Sequence, residues 1–93
     1  MDMTKGSIVL ANAGRDQDGV FFVVGEADGF VLLADGKRRR AEQPKRKRRK
    51  HVMLVAQSDA PVARKIRDSE KITNSELRRA IAAFSGGNQD QEV

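Results

Sequence analysis

The chain has 93 residues, of which 39% are hydrophobic, 33% charged and 4% aromatic. That is enough for one small domain with an appended helix or tail, not for two domains. There is no Cys, no Trp, no Tyr and a single His, which leaves no thiol chemistry, no Cys-bound zinc and few parts for acid–base catalysis. No apolar run approaches the roughly 20 residues that a membrane helix needs. Met1-Asp2-Met3-Thr4-Lys5 does not read as a signal peptide, so the expected compartment is the cytoplasm.

The predicted elements follow in chain order. Ser7–Ala11 reads as a strand with β-branched residues. Asn12 to Gly19 carries turn chemistry throughout. Val20 to Glu26 is the strongest strand signal, and Phe21 and Phe22 point to opposite faces. Asp28-Gly29 marks a tight hairpin turn, Phe30–Ala34 the return strand and Asp35-Gly36 the next turn. A fourth strand is expected over Arg38 to Gln43, ended by Pro44, with Lys45 to Lys50 as a tight basic turn. Val52 to Val55 reads as the fifth strand, with Met53 filling core. Strands this short and this closely spaced predict a small β-barrel over residues 1–56, because an isolated hairpin is not stable in water.

Residues 57–71 are polar and aperiodic and read as a linker. Thr73-Asn74-Ser75-Glu76 is a capping box, flanked by Ile72 and Leu77 at the two positions of a hydrophobic staple. Leu77, Ala80, Ile81 and Phe84 share one helical face, so a C-terminal helix is expected over 72–86, with 87–93 as a disordered tail. So short a helix does not persist alone. It docks either on the outer face of the Phe22 strand or on a partner.

The net charge of +5 hides an asymmetry. Residues 1–36 carry −4, residues 51–93 are neutral, and residues 37–50 carry +9, from ten cations and Glu42. A like-charge run reads either as a solvated stretch or as a surface for a polyanion. Arg outnumbers Lys in the run, six to four, and the guanidinium fork suits phosphate and stacks on planar rings. The candidate phosphate contacts are Lys37, Arg38, Arg39, Arg40, Lys45, Arg46, Lys47, Arg48, Arg49 and Lys50. With the four Phe assigned mostly to the core, aromatic stacking is not expected to dominate. His51 reads as structural. No cofactor, metal set or catalytic constellation is visible.

Several pieces carry a resemblance. Lys5 to Leu10, then Ala13-Gly14-Arg15-Asp16 and Phe22-Val23-Val24, resemble the KOW motif. Val31 to Lys37, Pro44 to Lys47, Lys50-His51 and Ile72 to Arg78 extend the match to the small bacterial KOW-domain RNA-binding proteins, which are similar to the KOW ribosomal proteins of the archaeal and eukaryotic large subunit. The resemblance covers residues 5–84. It implies a mainly β fold, a five-stranded SH3-like barrel with a C-terminal α-helix, and RNA, above all ribosomal RNA, as partner. It places Gly14 and Arg15 in an RNA-contacting loop. Asp18 stands where relatives carry a glycine, and Gly14 also reads as a positive-φ position and Arg15 as an ion-pair partner of Asp16 or Asp18. The chain is expected to be a monomer and not an enzyme. The alternative is a protein-interaction adaptor that docks a partner through Leu77, Ile81 and Phe84.

Overall fold

A computed structural model describes residues 4–12 and 19–86. Strands β1 (Ser7–Ala11), β2 (Val20–Ala27), β3 (Phe30–Ala34), β4 (Lys45–Arg48) and β5 (Val52–Gln57) are followed by helices α1 (Pro61–Arg67) and α2 (Asn74–Ile81). A 3-10 turn at Arg49–His51 joins β4 to β5, and a π turn at Ala82–Gly86 follows α2. The sheet is antiparallel throughout, in the order β4-β3-β2-β1-β5.

Chain length forces this sheet to curl. Laid flat, its two edge strands would stand about 19 Å apart, four spacings of about 4.8 Å. The link from Arg48 to Val52 is four Cα steps and reaches at most about 14 Å. The three-residue turn therefore draws the edges toward each other. Among the described residues no ladder closes β4 onto β5.

The curl explains two cores on opposite faces. Val9, Ala11, Phe21, Val23, Val31, Leu33 and Val52 form one buried cluster, made of strand residues alone. Among the described residues no helix contributes to that cluster, so the sheet's own curvature excludes water from it. Ile8, Phe22 and Ala34 lie on the outer face, under Val62, Ala63 and Ile66 of α1 and Leu77 of α2. Phe21 and Phe22, both fully buried, thus anchor different cores, as the period-2 alternation predicts. The outer face of the Phe22 strand is where α2 docks.

The hairpin turn at Asp28–Gly29 forms as expected, with Ala27 opposite Phe30. Gly29 takes φ 71°, a conformation open to glycine without steric cost. At α2 the Thr73 hydroxyl accepts the Glu76 N–H at 3.2 Å, and the Glu76 carboxylate accepts the Thr73 N–H at 2.8 Å. The capping box is therefore complete. Ile72 and Leu77 pack in the same cluster, as a staple requires.

Three expectations need correction. Arg38 to Gln43 is not a strand. Its backbone donors are taken elsewhere: Asp35 Oδ1 accepts from Lys37 N and Arg39 N, both at 2.9 Å, and Asn74 Oδ1 accepts from Ala41 N at 2.7 Å. The fourth strand is instead Lys45–Arg48, within the stretch expected as a turn. Cations suit that place because β4 is an edge strand, where charge blocks pairing with another chain. Second, residues 57–71 are not a linker. They hold the end of β5 and helix α1, which starts with Pro61 in its first turn, where a missing N–H costs nothing. Third, Met53 does not fill core. It is 52% exposed, on the face of β5 opposite the buried Val52.

An ion pair ties the helices together. Lys65 Nζ lies 2.5 Å from Glu76 Oε2. The Lys65 ammonium first, and the Thr73 N–H second, hold the Glu76 carboxyl below its usual 4.5. The Glu76 carboxylate, through its hydrogen bond and then its charge, holds Lys65 above its usual 10.5. A lowered carboxyl pKa means stability present above 4.5 and lost as pH falls through the folded value. A raised Lys pKa means stability present below 10.5 and lost as pH rises through the folded value. We therefore expect the tie to weaken below pH 4.5. Thermal melts at pH 3 and pH 7 should differ less in Glu76→Gln, which keeps the capping box and removes the charge.

Candidate nucleic-acid interface

The basic segment divides into three parts: a loop from Asp35 to Pro44, strand β4 and the 3-10 turn. The loop is built, not loose. Asp35 N and Gly36 N both donate to Arg39 O, at 2.9 and 3.0 Å, while the Asp35 carboxylate caps the turn from inside. Gly36 has φ 79° and passes so close to α2 that a Cβ would run into the backbone oxygen of Asn74. Arg78 Nη1 donates to Gly36 O at 2.6 Å, and Asn74 Nδ2 donates to Glu42 Oε1 at 2.7 Å. Those Asn74 and backbone donors hold the Glu42 carboxyl below its usual value, so the single acid of the run stays ionised and engaged by α2.

This brace leaves Lys37, Arg38 and Arg40 exposed and Arg39 half-buried. The Arg38 guanidinium reaches across to Gly19, where an added Cβ would come 2.7 Å from Nη2. Asn74 and Arg78 were not singled out by the sequence reading. Their roles arise from contacts 33 and 42 residues away, which no local pattern carries. Asn74→Ala removes an acceptor for Ala41 N and a donor to Glu42. Its expected cost is about 1–2 kcal/mol, with faster hydrogen exchange at the Ala41 amide as the direct readout.

Strand register sorts the remaining cations. Lys45 faces Leu33 and Lys47 faces Val31, both partners being inner-core residues. Lys47 is accordingly buried, at 9% exposure, and Lys45 is half-buried. Arg46 pairs with Leu32 and Arg48 with Phe30, on the outer face, and both arginines are exposed. Their guanidiniums lie over the Phe30 ring, 4.7 and 5.3 Å from its centroid. Such contacts at an exposed site are worth about 0.5–1 kcal/mol each.

Arg49 is committed to the protein. Its Nη2 lies 2.9 Å from Glu26 Oε1, and its backbone N–H donates to Gly29 O at 3.1 Å. Lys50 is exposed. His51 is half-buried, and its carbonyl accepts the Asn12 N–H at 3.0 Å, tying the turn to β1. The expected ten-cation surface therefore loses Lys47 to burial and Arg49 to Glu26. Gly14 and Arg15 lie outside the described residues.

The four Phe are expected mostly in the core; Phe30 is the half-buried one that forms a surface platform under two arginines. Its position beside the Asp28–Gly29 turn was the available signal. At the C-terminal helix, Leu77 is fully buried in the protein's own core, Ile81 is half-buried and Phe84 is 40% exposed. Leu77 is thus not available to a partner. Among the described residues no group of three or more His, Asp or Glu converges as a metal site, and no helix is long and apolar enough to cross a membrane. No family model and no curated protein matches the chain.

Proposed function

We propose that this chain is an RNA-binding module, ribosome-associated, that grips structured RNA with the basic segment of an SH3-like barrel of the KOW type. The observation that carries the reading is that five exposed cations fall on the edge strand and the loop that leads into it. Arg46 and Arg48 stand on the outer face of β4, and Lys37, Arg38 and Arg40 stand in the braced loop that leads into it. Phosphate binding needs positive charge held on a surface that follows a nucleic-acid backbone. A loop fixed by Asp35, Asn74 and Arg78 holds its cations at less entropic cost than a free tail would. The meandering strand order and the three-residue link between edge strands support the barrel reading.

A fluorescein-labelled RNA hairpin titrated with the full chain tests the proposal. Four to six phosphate contacts predict a slope of log K against log salt of about −3 to −5. A slope near zero, or no binding at low salt, contradicts it. The adaptor reading gains no support at Leu77, which the protein already covers.

A further inference from the structure

We infer that the Phe30, Arg46 and Arg48 cluster is a stacking site for an unpaired RNA base. The RNA that fits this chain is then a helix interrupted by a bulge or loop, not a continuous duplex. The inference rests on the RNA-binding reading and sharpens it.

Charge alone does not account for the cluster. A cation that only neutralises phosphate needs no aromatic ring beneath it. Here two exposed guanidiniums lie within 4.7 and 5.3 Å of one ring centroid, at the end of the edge strand beside the hairpin turn. The guanidinium is planar and more weakly hydrated than an ammonium, so it stacks on a flat ring as readily as it forks to phosphate. Phe30 is half-buried, so its own face is largely taken and the arginines form the outer layer. A base is the nucleic-acid group with a matching flat face.

Duplex RNA does not offer that face. Paired bases are stacked on both sides, and the A-form major groove is too narrow for side chains to enter. A base that has left its stack, in a bulge or loop, can cover the guanidiniums. Lys37, Arg38 and Arg40 in the loop before β4, and Lys50 beyond it, then lie where flanking phosphates would run.

The test compares two hairpins of equal stem length, one continuous and one carrying a single unpaired 2-aminopurine. Stacking energies per base predict that the full chain binds the bulged RNA about 5- to 100-fold more tightly, with a change in 2-aminopurine fluorescence. The double variant Arg46→Lys, Arg48→Lys keeps the charge and loses the planes. It should bring the ratio of the two affinities down to about one, whatever its affinity for the continuous stem, and a retained salt slope would show that the charge is still engaged. Equal affinity for the two RNAs, with unchanged fluorescence, overturns the stacking site and leaves the RNA-binding reading standing. Failure to bind either RNA overturns both. Displacement of the bulged RNA by polyglutamate as effectively as by unlabelled bulged RNA also overturns it, since the site would then be a docking place for an acidic peptide.

Discussion

Leu77→Ala should lower the unfolding free energy of the isolated chain by about 3 kcal/mol, within the range seen for truncating a buried Leu. Leu77 is fully buried and sits with Phe22, Ile8 and Ala34 below and the α1 residues Val62, Ala63 and Ile66 beside it. Removing its side chain takes away transfer energy and leaves a cavity at the point where both helices meet the sheet. In a domain of this size the loss should appear as a drop in melting temperature of about 12–24 °C. The same residue decides between two uses of the C-terminal helix. Were its apolar face reserved for a partner, truncation would leave the isolated protein unchanged. Urea unfolding that gives a loss below about 1 kcal/mol would therefore contradict the docked arrangement, because a buried Leu does not cost so little.

Replacing Lys37, Arg38, Arg46 and Arg48 together by Gln should weaken binding to structured RNA by at least about 100-fold near 0.1 M salt, and flatten the salt slope by about 3. Gln keeps the start of each aliphatic stem and removes the charge, together with the guanidinium contacts that Arg46 and Arg48 make with Phe30. The comparison variant is Lys47→Gln with Arg49→Gln. Lys47 is buried and Arg49 is paired with Glu26, so this change should alter the slope by less than one contact's worth. If the two-charge variant flattened the slope half as much as the four-charge variant, charge count alone would govern binding and the sorting of cations by strand register would be irrelevant.

Much of the sheet is legible from sequence because its signals are local. Val20 to Glu26 carries β-branched and aromatic residues, Asp28-Gly29 supplies the turn, and Thr73 with Glu76 supplies the cap. The fourth strand is not legible, because Lys45-Arg46-Lys47-Arg48 has little strand propensity and becomes a strand only by pairing with Leu33 to Phe30. The preceding loop is likewise set at a distance, by Asn74 and Arg78. Helix α1 is hidden by its shortness: seven residues with Pro61 at the start carry too little periodicity to stand out.

The candidate site shows the same division. The density of charge in residues 37–50 is plain in the sequence. Which cations reach solvent is not. Phe30-Val31-Leu32-Leu33 is apolar on both faces, so nothing in that strand says which side turns inward. Only the register places Lys47 inside with Val31 and leaves Phe30 outside under Arg46 and Arg48.

The central claim is that the exposed cations of the loop and of β4 bind RNA. Ultraviolet crosslinking in cells, with sequencing of the attached RNA, tests it most directly when run beside the Lys37, Arg38, Arg46 and Arg48 to Gln variant. The account predicts discrete peaks on structured ribosomal RNA that disappear in the variant. Crosslinks no stronger than in the variant, or spread in proportion to RNA abundance, would contradict it.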